Sequence, residues 1–397
     1  MDLLRKIDFG NTEKAFIWKS DKELKRSVFI FSMLQRRWIV SAGAFVSNLF
    51  LKLHFPIKWV VKPTMFRQFC GGETVSESLN IIKRLSNNNV NSILDYSVES
   101  ANEASFDSTL AQTVQTIELA EESESVPFSV FKPSAFCNGK ILEKYSQNKD
   151  LNVSEAKEID KFKGRVDLLC RSAHEKGVPI LVDAEEYAYQ DGVDRVVNEM
   201  MQKYNKERAI VYNTLQMYRW DRYGFLVAEL EKANQKGYFL GIKLVRGAYM
   251  EKERALSEKY NYPSPINSTK EETDKEFNKA VKFVMNNLMN MSLFCGTHNE
   301  ESIHMAIHLM NDLGIEKDDK RVFFSQLYGM SDNISFNLAA QGYNVAKYLP
   351  YGPVESVMPY LIRRAQENTA VAGQMSRELM LLKKEKQRRK NSKNGSR

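Results

Sequence analysis

The chain has 397 residues, 43% hydrophobic and 27% charged, which excludes a disordered polar polymer and allows one large core plus a smaller accessory piece. Its formal charge of +7 is concentrated at one end, because residues 383–397 hold eight Lys or Arg against one Glu. The rest of the chain is near neutral. This basic end reads either as a solvated terminus or as an electrostatic attachment to an anionic membrane surface, and its lack of aromatic residues argues against nucleic acid.

The opening MDLLRKIDFGNTEKAF reads neither as a secretion signal nor as an acid-free transit peptide. Residues up to about 85 look helical and basic. Residues 38–51 (WIVSAGAFVSNLFL) are the most apolar stretch. They fall short of the roughly 20 residues a spanning helix needs, so a core helix or a surface-seated one is expected. Gly71 and Gly72 interrupt the helical pattern, and TVSE at 74–77 predicts a capping box opening the next helix.

From Val90 the rhythm changes. Short apolar runs near 92, 128, 179, 209, 239, 293, 322 and 344 alternate with amphipathic stretches such as 155–176, 193–204, 222–236, 274–289 and 301–313. Gly177, Gly237 and Gly314 stand where helices should stop. Eight such alternations predict an α/β fold, a (β/α)8 TIM-type barrel, with a doubly wound open sheet as the alternative. No GxGxxG follows any of the strands, which weakens a dinucleotide-binding reading. The domain scheme is an N-terminal helical region over 1–85, a barrel over 86–375 and a basic tail over 376–397.

The active site of such a barrel lies at the C-terminal ends of its strands. Those ends are polar here: Asp95 and Glu99, Lys132, Asp183 through Glu186, Gln216, Lys243, Arg246 and Tyr249, Thr297 through Asn299, Gln326 and Tyr328, and Tyr348. One such residue alone is usually a turn former or a cap. A whole rim of them points to a large polar ligand. Beyond the last strand, Pro353 and Glu355 suit a helix start. Tyr360, Arg363, Arg364 and Glu367 then share one helical face, and paired arginines there form a fork for a carboxylate or phosphate. A solvated charged face is the alternative. Lys132 and Lys243 are open to two readings, as anion-binding cations or as Schiff-base lysines of an aldolase. Asp183, Glu185 and His298 have ligand chemistry, but no H-x-H or H-x-x-x-H pair supports them, so no metal is expected. Cys70, Cys137, Cys170 and Cys295 form no C-x-x-C pair and are expected as reduced thiols.

The ordered motifs LDYSVE, FKPSA, DAEE, QMY, KLVRGAY, THN, LYGM and YLPYGPVESVMPYLIRRAQEN, spanning about 90–368, resemble the proline dehydrogenase (proline oxidase) family. FCGGETVSESL near Cys70 is a weaker echo. The resemblance implies a distorted (β/α)8 barrel that binds FAD at the strand ends, with its final helix over the barrel mouth, and that oxidises L-proline to 1-pyrroline-5-carboxylate. It implies that Arg363, Arg364 and Lys132 bind the substrate carboxylate, that Tyr348, Tyr360 and Leu327 wall the ring, and that Tyr249 and Asp183 complete the pocket. It implies FAD contacts from Gln216, Lys243, Val245, Gly247, Ala248, Thr297, His298, Asn299, Gln326 and Glu367. Lys243 departs from the family's two-domain bacterial members, which have arginine beside the flavin N5; lysine keeps the charge and loses the fork.

The same resemblance implies a membrane quinone as electron acceptor and a separate pyrroline-5-carboxylate dehydrogenase downstream. The expected location is cytoplasmic with peripheral attachment to the inner membrane, or mitochondrial in a eukaryote. Hydroxyproline is the nearest alternative substrate, and the resemblance implies that Tyr348 crowds the ring position of a hydroxyl and so favours proline. Glu99, just beyond the first strand, is expected to gate the pocket by pairing with Arg363 on the exposed side of the final helix.

Overall fold

The computed structural model describes residues 7–36, 38–41, 43, 58–98, 103–370 and 372–395. Eight parallel strands form a nearly closed (β/α)8 barrel, with sheet order β1-β8-β7-β6-β5-β4-β3-β2. They are β1 (Asn91–Tyr96), β2 (Ser129–Phe131), β3 (Ile180–Val182), β4 (Val211–Gln216), β5 (Leu240–Val245), β6 (Met291–Gly296), β7 (Val322–Leu327) and β8 (Val345–Tyr351). Every apolar run read from the sequence is a strand, because each is buried on both faces and so lacks polar alternation. Gly177, Gly237 and Gly314 all have φ near +65°, the left-handed conformation that ends a helix.

The chain forms two compact units, one from residues up to 99 together with 326 onward, the other from residues 100–325. In the second unit the strand register separates the faces. Tyr212 pairs with Leu181 and Gly241, and Phe294 with Lys243 and Phe323. The rings of Tyr212, Phe294 and Phe323 meet Phe128 edge-on, with centroids 4.9–5.6 Å apart. These aromatics fill one end of the sheet's inner face. The alternate residue Asn213 turns outward and donates to Asp194 on the helix Tyr187–Tyr204, at 3.0 Å.

In the first unit, Phe16, Phe31, Phe66 and Phe69 pack with Val354, Val357 and Leu361 and with Leu379, Leu381 and Leu382. The last three belong to the helix Ala372–Gly395, which runs through the basic segment. The reading of that segment as a solvated terminus holds for Lys383, Lys384, Lys386, Lys390 and Lys393, which are exposed, and is corrected at Glu385, Arg388 and Arg389, which are not. Arg389 donates to Asp21 at 3.0 Å and to the carbonyls of Lys19 and Phe16 at 2.9 and 2.8 Å, and buried Glu385 accepts from Arg388 and Arg389. Sequence alone gave no sign of the Arg389 contacts, because Phe16, Lys19 and Asp21 lie more than 360 residues away.

Two local expectations change in detail. Thr74 caps Glu77 as predicted, but the Glu77 carboxylate accepts from the Glu73 amide instead of closing a box on Thr74. Pro353 heads a turn, and the helix starts at Met358. Gly352, at φ +139°, turns the chain out of β8, and this turn has to be completed first. The stretch 38–51 lies mostly outside the described residues. Among those described, no helix is long and apolar enough to cross a membrane. The four cysteines are buried free thiols, and burial pushes the thiols of Cys137 and Cys295 up to about 12, so they are poor nucleophiles.

Candidate active site

Register brings three predicted residues of the second unit together. Lys132 and Asp183 follow β2 and β3 directly, and Thr214 pairs with Lys243 between β4 and β5. Lys243 Nζ lies 2.5 Å from Asp183 Oδ1, and Lys132 Nζ lies 4.0 Å from Asp183 Oδ2. Lys243 is 6% exposed and also sits 5.8 Å from the Phe294 ring centroid. A carboxylate between two ammonium groups fixes both cations and leaves the cluster one positive charge. Schiff-base attack requires an amine free to meet a carbonyl, so the ion pair favours the reading of Lys243 as a cation.

Behind this cluster Glu185 accepts from the Ser134 amide and hydroxyl at 2.8 and 2.6 Å, while its own amide donates to Gln190. Burial pushes its carboxyl up to about 7, against the pull of those Ser134 bonds. It thereby locks the FKPSA turn that presents Lys132. Among the described residues, no three His, Cys, Asp or Glu side chains gather as a metal site.

The next level of the inner face carries Gln216, paired with Val245. Gln216 is 2% exposed, and its side-chain oxygen has no hydrogen-bond partner among the described residues. A buried carbonyl oxygen without a donor is costly, and a ligand's N–H or O–H is a natural complement. Val245 is half-buried and Ala248 exposed. Gly247 has φ +127°, and a Cβ there would lie 2.6 Å from the buried Tyr218 ring. Gly247→Ala is expected to lower unfolding stability by about 1–3 kcal/mol, measured by denaturant titration. A loss below about 0.5 kcal/mol would show that Tyr218 can yield.

Arg246 has a different task from its neighbours. Its guanidinium donates to Asp274 at 2.6 Å, to the Thr297 hydroxyl at 2.6 Å and to the Ser302 hydroxyl at 2.9 Å, and packs 4.4 Å from the Phe277 ring centroid. Thr297 in turn accepts from the Asn299 amide, and Asn299 caps the helix Glu300–Asp312 through the Ser302 amide. The THN motif is thus braced by an arginine whose partners lie 28, 51 and 56 residues away, a pattern with no local sequence signal. His298 is half-buried beside this cap, and Tyr249 is the N-cap of Met250–Tyr260.

In the first unit, the helix Met358–Ala370 carries the tyrosine and paired arginines. Tyr360 and Arg364 are 5% and 9% exposed, and the Arg364 guanidinium lies 5.2 Å from the Tyr360 ring centroid. Arg363, expected on the exposed side, is half-buried. A packed tyrosine–arginine face differs from a solvated charged face, because the guanidinium is pre-oriented. Tyr348 is buried on β8, where its carbonyl accepts from the Tyr328 amide at 2.9 Å. Leu327 ends β7 and is half-buried. Gln326, its neighbour, accepts at 2.7 Å from Ser335 on the helix Asp332–Ala339, so its amide is turned toward that helix. Glu99 and the side chain of Glu367 lie outside the described residues.

The proline dehydrogenase family model matches residues 78–377. The chain is 34% identical over 431 residues to proline dehydrogenase 1, mitochondrial, of Dictyostelium discoideum, covering 97% of this chain and 75% of that protein. It is 35% identical over 322 residues to the carbapenem antibiotics biosynthesis protein CarD of Pectobacterium carotovorum subsp. carotovorum, covering 81% and 83%. A crystal structure of proline utilization A from Bdellovibrio bacteriovorus, inactivated by N-propargylglycine, shares the fold with a TM-score of 0.72 at 20% identity. The match covers 90% of this chain and 41% of that one, so the chain spans about two fifths of that larger protein. With the barrel, the ordered motifs and these matches in agreement, the chain belongs to the proline dehydrogenase family of oxidoreductases.

Proposed function

We propose that the protein oxidises L-proline to 1-pyrroline-5-carboxylate with bound FAD and passes the electrons to a membrane quinone. FAD, when bound, supplies the hydride acceptor that no side chain provides. The observation that carries the reading is the Lys132–Asp183–Lys243 cluster at the strand ends, with the buried Gln216 oxygen one level above it. Gln216, Lys243, Val245, Gly247, Ala248, Thr297, His298 and Asn299 would hold the cofactor, with Gln326 and Glu367 as the remaining family positions. A fixed positive charge at Lys243 suits an acceptor that gains negative charge on reduction.

Proline is a zwitterion with one carboxylate and a compact apolar ring. In this reading Arg363, Arg364 and Lys132 bind the carboxylate, while Leu327, Tyr348 and Tyr360 wall the ring. Tyr249 completes the pocket, and Asp183 acts by orienting the two lysines. The ring nitrogen must be neutral before the C–N bond gains imine character. Burial of Tyr348 supports a tight ring site and so favours proline over hydroxyproline. The Glu99–Arg363 gate, the division at residues 85 and 375, peripheral attachment to an inner membrane, and a separate pyrroline-5-carboxylate dehydrogenase complete the proposal. Relatives named as mitochondrial support an organellar setting in a eukaryote.

The deciding test is the absorbance spectrum of the purified protein with and without L-proline under anaerobic conditions. The expected result is a flavin spectrum that L-proline bleaches and hydroxyproline bleaches far less. A bound flavin unaffected by L-proline would overturn the substrate, and a protein that takes up no FAD would overturn the cofactor.

A further inference from the structure

A cluster of buried ionisable side chains in the first unit has no part in the groups assigned above: Lys19, Asp332, Lys347 and Glu378, at 7%, 1%, 0% and 7% exposure. Lys347 lies on β8 next to Tyr348 and points to the opposite face. Its Nζ is 2.9 Å from Asp332 Oδ1, and it donates to the Met330 carbonyl at 2.6 Å and the Leu327 carbonyl at 3.5 Å. Asp332 Oδ2 faces Lys19 Nζ at 3.1 Å and accepts from Trp18 Nε1 at 3.3 Å. Glu378, on the last helix, accepts from the Ser331 amide at 2.9 Å.

All these bonds converge on residues 327–332, the turn between β7 and the helix Asp332–Ala339. Ser331 stands at φ +49° and ψ +43°, a left-handed conformation that a residue with a side chain adopts only when its surroundings impose it. Gly329, at φ +78°, has its carbonyl bound by buried Gln68 at 2.9 Å, and a Cβ there would meet the Gln68 carbonyl at 2.0 Å. Two costs therefore meet in one short turn. Buried charges are seldom better for stability than apolar packing of the same volume, and the backbone at Ser331 is strained. The turn begins at Leu327, and its Tyr328 amide bonds the Tyr348 carbonyl. Both residues are walls of the substrate site in the function proposed above, on which this inference rests.

We propose that Glu378 is a positioning residue that sets the spacing of Leu327 and Tyr348 through the Ser331 amide and the Lys347–Asp332 pair. Its carboxyl faces Asp332 on the helix after the turn, Lys347 on β8, and Lys19 on the segment before the helix Asp21–Leu34. Burial and the nearby Asp332 push it up to about 7. Its ionised form is the stronger acceptor for Ser331 and balances the two lysines against two carboxylates. The turn is thus tightest above pH 7 and loosens as Glu378 is protonated.

The test compares Glu378→Gln and Glu378→Ala with the unaltered protein, by steady-state kinetics with L-proline and a soluble acceptor between pH 6 and 8. Glu378→Gln copies the protonated carboxyl. Its KM is expected to match at pH 6 and to exceed the parent value about fivefold at pH 8, with kcat within twofold. Glu378→Ala is expected to raise KM at both pH values and to speed amide exchange of residues 328–331. KM ratios that stay flat with pH, together with unchanged exchange in both variants, would overturn the positioning role, as would equal loss of kcat and FAD in both. Leu327→Ala separates the two ideas. If it leaves KM unchanged, the wall assignment fails; if it raises KM while both Glu378 variants do not, only the role of Glu378 fails.

Discussion

Arg364→Ala is expected to raise the KM for L-proline about 100-fold or more while the protein stays folded and keeps FAD. A bidentate guanidinium–carboxylate pair in a site shielded from water contributes on the order of 3 kcal/mol, which corresponds to that factor. Arg364 is buried and lies 5.2 Å from the Tyr360 ring centroid, so little conformational freedom is lost when substrate binds. Arg364→Lys keeps the charge but loses the planar fork, and should fall between, near 10-fold. Arg363 is half-buried, and its alanine variant should cost less than that of Arg364. Initial-rate kinetics with a soluble acceptor measures all three. A KM for Arg364→Ala within threefold of the parent would remove the arginine from the carboxylate site.

The second large effect is expected at Asp183. Its carboxylate lies 2.5 Å from Lys243 Nζ, and the Lys243 side chain is only 7% exposed. Asp183→Ala leaves that ammonium buried without its counter-charge, which should destabilise the fold by about 3–5 kcal/mol. Adding Lys243→Met removes the stranded charge and should restore most of the stability. The double variant should nonetheless remain inactive, because it lacks the Lys243 charge and Lys132 has lost the carboxylate that orients it. Denaturant unfolding and turnover, measured on both single variants and the double variant, give the coupling. A double variant no more stable than Asp183→Ala would show that burial of the pair is not what the aspartate offsets.

The eight strands and their order along the chain were legible in the sequence, because a parallel strand covered on both faces must be a short apolar run wherever it occurs. The helix stops at Gly177, Gly237 and Gly314 were legible for an equally local reason, since their φ angles near +65° suit glycine. The face shared by Tyr360 and Arg364 followed from helical spacing alone. Periodicity reports which side of an element is buried, but it does not report what a buried charge meets there. Only the tertiary structure placed Asp183 between lysines 51 residues before it and 60 after it in the chain. Only the tertiary structure committed Arg246 to Asp274, Thr297 and Ser302, and turned Gln326 toward Ser335. The basic C-terminal helix and the buried Lys347–Asp332 pair were decided in the same way. A lysine or glutamate costs several kcal/mol to bury alone and far less beside a partner, and in this fold partners such as Asp183 for Lys243 and Asp332 for Lys19 come from distant parts of the chain.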